Sequence, residues 1–249
     1  MSGKTVLRLG FLYPDHSAED DYPRMSGLVV PPVEVEVVHT TISEDAHRVD
    51  AIRETANMNR LRVGAKALRE KHPDAVMWAC TCASFIFGLV GAKQQAAEIE
   101  EVVRVPASST SLAFVEALHA LGIVRVSIAA SYPEDIGQLF KSFLADAGVM
   151  AIHLSSRGIL AGADVAALSK EDTTRMVREN DHPEAQAILV PDTALHTAGY
   201  VDDLQRAVDG KTVLTANQVT MWQALRLAGV EQPRAQGGLG SLFDGSSTR

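Results

Sequence analysis

The chain has 249 residues, 46% of them hydrophobic and 22% charged, which suits one large soluble α/β domain or two small ones sharing a cleft. A net charge of −8 argues against a nucleic-acid partner, because phosphate binding needs concentrated Lys and Arg. Two cysteines at C-x-C spacing, Cys80 and Cys82, allow neither a disulfide framework nor a structural zinc site, and they fit a reducing cytoplasm.

No signal peptide is read in Met1-Ser2-Gly3-Lys4, which leads straight into a strand expected over residues 5–13 and closed by Pro14-Asp15. Residues 16–21 read as a polar loop able to reach over a cleft. Alternation of apolar residues with glutamate over 33–39 predicts a second strand near a sheet edge. Ser43-Glu44-Asp45 reads as a helix start, and the apolar spacing predicts one long helix to about residue 71. His72-Pro73-Asp74 then opens a buried strand, 75–79, that ends abruptly in Cys80-Thr81-Cys82-Ala83-Ser84. The segment 75–92 is uncharged for 18 residues, but its glycines, its thiol and hydroxyl cluster and its missing basic flanks exclude a membrane span. A helix is expected to 97, a strand over 102–105, and a helix over 112–121 that Gly122 stops.

From there the pattern restarts. Strands are expected over 123–130, 149–154, 188–190 and 212–214, and helices over 135–147, 168–180, 199–208 and 219–228, with a frayed Gly/Ser-rich tail from Gly237. Three landmarks recur in the same order. Tyr13-Pro14-Asp15 answers to Tyr132-Pro133-Glu134. His72-Pro73-Asp74-Ala75 leading to Cys80-Thr81 answers to His182-Pro183-Glu184-Ala185 leading to Asp192-Thr193. A small polar cluster before an Ala-Leu helix occurs at Ser108-Ser109 and again at Thr215-Ala216-Asn217-Gln218. This order implies duplication, and strand–helix alternation requires parallel sheets. The expected fold is α/β, with two pseudosymmetric lobes, each a short parallel sheet flanked by helices, and the active site in the cleft between them. The lobes are placed at 1–110 and 111–218, with a C-terminal helical segment, 219–249, packing back on the first.

Ligands of open α/β sheets bind where strands deliver their carboxyl ends. Cys80 and Asp192 are expected at such ends, on opposite walls of one cleft. Cys80 would sit beside the first amides of the next helix, a position that can lower a thiol pKa from ~8.5 to roughly 3.5–7.5; the alternative is a buried cysteine packing as a small hydrophobe. There is no G-x-G-x-x-G after the first strand, no G-x-x-x-x-G-K-[ST] and no G-x-S-x-G. The histidines show no ligand spacing, and only His196, next to Asp192-Thr193, is expected to line the cleft. What remains at the strand ends is neutral: Cys80, Thr81, Ser84, Ser108, Ser109, Tyr132, Thr193, Asn217 and Gln218. Such groups can hold carboxylate oxygens and stabilise an enediolate, although the serines serve equally as turn and cap residues. A thiolate facing a carboxylate suits proton transfer at a carbon α to a carboxylate.

Ala79-Cys80-Thr81 with Ser84 and Gly88, Ser131-Tyr132-Pro133, Asp192-Thr193-Ala194-Leu195 with Thr197, and Thr215-Ala216-Asn217-Gln218 with Trp222 resemble the aspartate/glutamate racemase superfamily, nearest its maleate cis-trans isomerase and arylmalonate decarboxylase branch. The resemblance covers nearly the whole chain. It implies a cofactor-independent enzyme without a metal, acting on a small carboxylic acid. Cys80 and Asp192 would be catalytic, and Thr81, Cys82, Tyr132, Thr193, Asn217 and Asp15 would face the substrate. Racemases and maleate isomerases carry one cysteine per lobe, at the positions of Cys80 and Asp192. The decarboxylases keep only the second. This chain keeps only the first, and Asp15-His16 stands where an asparagine is expected. The leading expectation is an isomerase of cis-trans or racemase type on a mono- or dicarboxylic acid such as maleate. A decarboxylase of a substituted malonate and an inactive carboxylate-binding homologue are the alternatives. No nucleic-acid or membrane partner is expected, and a homo-oligomer is left open.

Overall fold

A computed structural model describes residues 6–245. Its strands are β1 (Arg8–Pro14), β2 (Val29–Val30), β3 (Glu34–Thr40), β4 (Ala75–Trp78), β5 (Ala107–Ser109), β6 (Arg125–Ala130), β7 (Met150–Ser156), β8 (Ala187–Val190), β9 (Thr212–Thr215) and β10 (Arg234–Ala235). Two four-stranded parallel sheets form, ordered β3-β1-β4-β5 and β7-β6-β8-β9, and β2 pairs with β10 in a small antiparallel ribbon. In both large sheets the first strand of its half lies second, flanked by the second and third, so the two halves share one winding.

The repeat extends to single hydrogen bonds. In the first half Asp74 donates its amide to the Arg8 carbonyl, and its carboxylate accepts the Arg8 amide at 2.8 Å. In the second half Gln186 donates its amide to the Arg125 carbonyl, and its side-chain oxygen accepts the Arg125 amide at 2.9 Å. The two residues that lengthen the second repeat therefore lie before the strand. β4 and β8 are each four fully buried residues, and Cys80 and Asp192 each fall two residues beyond the strand end. Period-2 burial is absent from both because helices cover both faces.

One apolar core links the halves. Leu9, Phe11 and Trp78 from the first sheet belong to the same buried cluster as Val126, Leu189 and Leu214 from the second. The helix Ala216–Leu227 is buried along most of its length and packs on the helix Thr110–Ala120, where Thr220 and Thr110 share a 2.7 Å hydroxyl contact. The sheets are also tied by Tyr13, whose hydroxyl donates to the Thr193 carbonyl at 2.9 Å.

Four expected elements differ. The helix expected from Cys82 to residue 97 is two, Thr81–Phe85 and Gly88–Val103. The long helix from residue 43 is two helices, Val49–Thr55 and Met58–Arg69, after a non-helical segment. Asn57 restarts it by accepting the Asn59 amide at 3.0 Å, an N-cap in the middle of an apolar period. The strand expected over 102–105 belongs to the helix Gly88–Val103, which buries Val103. Arg104, left-handed at φ 66°, closes that helix on the Glu100 carbonyl, and the strand begins only after Pro106. The tail is packed rather than frayed as far as residue 245. Asp202 accepts the amides of Gly238 and Gly240 at 2.6 Å each, Gln218 donates to the Leu239 carbonyl at 2.6 Å, and Leu242 and Phe243 are buried. The beginning of the first expected strand at Thr5, the leader reading at Met1–Lys4 and the last four residues of the tail lie outside the described residues. Among the described residues no helix is long and apolar enough to cross a membrane.

The short helix Asp21–Ser26 was not anticipated, and it delivers a fully buried carboxylate. One oxygen of Asp21 accepts the amides of Thr197 at 2.8 Å and Ala198 at 3.1 Å and the Asn217 side chain at 3.0 Å, while its other oxygen is unpartnered. Burial pushes this carboxyl above the ordinary carboxylate value despite the three donors. A raised folded-state value gives a definite sign: the stability tied to this proton is complete below the unfolded carboxylate pKa and is lost as pH rises through the folded one. Asp21→Ala, which strands three buried donors, is expected to cost about 3–5 kcal/mol in urea unfolding at neutral pH. Asp21→Asn should cost about 1 kcal/mol or less and flatten the acid side of the stability–pH curve. Equal losses in the two variants would show that the carboxylate's charge, which asparagine lacks, holds this junction in place of its shape and acceptor oxygen.

Candidate active site

The carboxyl ends of β1, β4 and β8 meet a cavity of about 60 Å3 lined by Tyr13, Asp15, Ser17, Cys80, Cys82, Asp192 and Thr193, among others. Its roof is the segment carrying Ile42, Glu44, Asp45, Ala46 and His47, the stretch expected to begin a helix. The physical reason is visible in its partners. The Asp45 carboxylate accepts the amides of Gly162 at 2.7 Å and Ala163 at 3.0 Å, and the His47 amide donates to the Leu160 carbonyl at 2.6 Å. Those bonds draw the segment across to the second half, where helical geometry would leave it in the first.

Cys80 is 4% exposed and extended, the N-cap of a helix that runs only Thr81–Phe85. Its sulfur lies 3.8 Å from that of Cys82. The contact with Cys80, together with burial, pushes the Cys82 thiol well above its ordinary value, so Cys82 keeps its proton. Asp192, just beyond the end of β8, lines the same cavity and is also 4% exposed. One of its oxygens accepts the Ala194 amide at 2.9 Å, and the other accepts the Ser131 hydroxyl in a short contact. The carboxylate is thus fixed in direction by its own turn and by the end of β6.

His47 completes the electrostatics. Its Nδ1 faces the Ile159 carbonyl at 2.9 Å, which assigns the proton there and turns Nε2 away from that carbonyl; its ring stands edge-on to Tyr132, centroids 5.0 Å apart. Burial lowers the imidazole pKa, but Asp192 above all, with the Ile159 carbonyl and Asp45, outweighs it and raises the value above that of a free histidine. Among the described residues that line the cavity there is no Lys or Arg, so His47 is its one available cation.

Five of the eight expected site residues converge on this cavity: Cys80, Cys82, Asp192, Thr193 and Asp15. The other three lie behind its wall. Tyr132 is buried, its phenol pushed up by burial and donating to the Pro191 carbonyl. Asn217 has no spare capacity: its oxygen accepts Tyr22 at 3.0 Å, and its amide group serves Asp21, Thr193 and Leu195. Both shape the turn that carries Asp192, in place of the carboxylate-gripping role expected of them. Thr81 is buried with its hydroxyl unpartnered. His196 does not line the cavity; its Nε2 pairs with Asp20 at 2.8 Å on the outer side. Sequence reasoning missed Tyr13, Ser17, Asp45 and His47. Tyr13 alone carried a signal, as half of the repeated Tyr-Pro landmark.

The arylmalonate decarboxylase family model matches residues 27–243. The chain belongs to the arylmalonate decarboxylase family. A relative in Bordetella bronchiseptica, an arylmalonate decarboxylase, is 28% identical over 187 residues, which cover 73% of this chain and 76% of that protein. A liganded variant of arylmalonate decarboxylase, with one glycine changed to cysteine and one cysteine to serine, superposes with a TM-score of 0.85 at 22% identity, covering 97% of this chain and all of the other. A maleate cis-trans isomerase of Nocardia farcinica, a cysteine-to-serine mutant holding a covalent succinylcysteine intermediate, superposes equally well at 0.85 with 18% identity, covering 97% of this chain and all of the other. The arylmalonate decarboxylase family fold is therefore also that of the maleate isomerases, as the resemblance implied. The chain is an enzyme of that branch of the aspartate/glutamate racemase superfamily.

Proposed function

We propose that the chain isomerises a small unsaturated carboxylic or dicarboxylic acid of the maleate type, with Cys80 as nucleophile. The observation that carries this reading is the cleft itself, where a sulfur from β4 and a fixed carboxylate from β8 face one small cavity beside a single histidine. The Cys80 thiolate adds to one alkene carbon, forming a C–S bond, and the π pair moves onto the carbon α to the far carboxylate as an enediolate. Rotation about the new C–C single bond followed by C–S cleavage returns the pair and gives the trans alkene. Protonated His47 pairs with a substrate carboxylate, and the Cys82 thiol holds the Cys80 sulfur in line. Asp192, an anion at rest, takes up the proton that Cys80 gives up and passes it to the α carbon from the opposite face, and it takes that proton back before the C–S bond breaks. Supporting this reading, the solved maleate isomerase with its succinylcysteine adduct has the same fold, and nothing in the cycle calls for a redox group or a cofactor.

The family match favours a second reading, decarboxylation of a substituted malonate. There the C–CO2 bond breaks, carbon dioxide leaves, and the enediolate takes a proton from one face. Maleate and phenylmalonate, each offered in deuterated buffer and followed by proton NMR, separate the two. Fumarate from maleate is the expected result. Labelled phenylacetate from phenylmalonate would select decarboxylation, and binding of either acid without turnover would leave a carboxylate-binding homologue.

A further inference from the structure

The histidines that lack ligand spacing along the chain do not lack it in space. Beyond Pro14 the chain turns through Asp15, left-handed at φ 53°, and presents His16 beside His39 of the edge strand β3. Their rings lie 3.9 Å apart, centroid to centroid. Between them reaches Glu19: its Oε1 stands 2.8 Å from His16 Nδ1 and 3.4 Å from His39 Nε2, and its Oε2 accepts the Ser17 amide at 2.8 Å. The three ligating atoms lie within 4.8 Å of one another.

We propose that His16, Glu19 and His39 form a binding site for a divalent cation of the zinc class on the rim of the catalytic cleft. Two imidazoles and one carboxylate are a donor set such ions prefer, with a fourth position left to water. Zinc bonds of ~2.0–2.1 Å in a tetrahedron hold ligand atoms roughly 3.3 Å apart. The Glu19–His39 separation already meets that spacing, and the Glu19–His16 pair needs to open by about half an ångström. Without a cation, the single Glu19 Oε1 faces both rings, which crowd together in a tilted pair.

The position gives such an ion a consequence. His16 and Glu19 belong to the loop after β1, and His39 belongs to β3, so one ion cross-links loop and sheet. Asp15 and Ser17, on either side of His16, both line the catalytic cavity. Occupancy would therefore stiffen one wall of the cleft without placing the ion in it.

Zn2+ titrated calorimetrically into the EDTA-stripped full chain is expected to bind one ion per chain with micromolar affinity and to raise Tm. His39→Ala and Glu19→Gln, both at the rim and outside the core, should each weaken binding at least 30-fold. Co2+ reports the ligands independently: weak visible bands of a nitrogen/oxygen site are expected, without the intense near-ultraviolet band of a thiolate–cobalt bond. No binding at millimolar metal, binding unchanged in both variants, or a thiolate band placing the ion on Cys80 and Cys82 would each overturn the proposal.

Discussion

Turnover in a Cys80→Ser variant is expected to fall by about 10^3-fold or more, with the far-ultraviolet spectrum and unfolding midpoint close to those of the parent. The substitution replaces one atom at a position that is nearly sealed and whose backbone is fixed by the β4 ladder on one side and the helix Thr81–Phe85 on the other. What changes is the nucleophile. A serine hydroxyl is hardly ionised at neutral pH and has no adjacent base of its own here, because the group in contact with the sulfur is the Cys82 thiol, which keeps its proton. Cys82→Ser is the discriminating control. It keeps a donor beside Cys80 at slightly different reach, so a loss of tenfold or less is expected. Iodoacetamide should modify one thiol readily in the parent and in Cys82→Ser, and a saturating product acid should protect it. If Cys80→Ser retains turnover within threefold, Cys80 is a packing residue and the covalent mechanism fails.

The elements that carry this chemistry were legible to different degrees, for identifiable reasons. β4 and β8 could be read directly, because each is a short apolar run bounded by His-Pro-acid and by small polar residues, and the repeat assigned Cys80 and Asp192 to equivalent ends. The shared winding of the two sheets followed from the same repeat. The cavity roof was not legible. Ile42, Ala46 and Val49 fit a helical period, and only the pull of the Gly162 and Ala163 amides on Asp45, far along the chain, overrides it. His47 was hidden with it. Asn217 and Tyr132 illustrate the converse error. Their types suit carboxylate binding, but whether a polar side chain faces a cleft or serves the wall depends on which buried partners remain unsatisfied. Asp21 supplies that demand for Asn217, and nothing in a surface-like run of acids announced that Asp21 is buried. The ribbon β2–β10 joins residues roughly 200 apart through two residues per strand, too short a pattern to stand out.

Asp192→Asn carries the second large effect: turnover is expected to fall by 10^2- to 10^4-fold, the range for loss of a positioned acid/base. The amide keeps the carboxylate's shape, so its oxygen still accepts the Ala194 amide and its nitrogen can face the Ser131 hydroxyl; stability should change by about 1 kcal/mol or less. A purely structural Asp192 would therefore survive the exchange. The pH profile supplies the second discriminator. Asp192 is the first of the charges that hold the His47 value up, so removing it lets the imidazole lose its proton at lower pH. If protonated His47 binds the substrate carboxylate, the alkaline limb of kcat/KM moves to lower pH in Asp192→Asn, and it disappears in His47→Gln with KM raised. Asp192→Cys, which installs the second thiol of the two-cysteine pattern, should recover at least tenfold over the asparagine variant, since a thiol can move a proton where an amide cannot. An Asp192→Asn enzyme with more than a third of parental turnover and an unmoved limb would confine Asp192 to holding its own turn. Proton transfer would then have to come from the Cys80–Cys82 side alone.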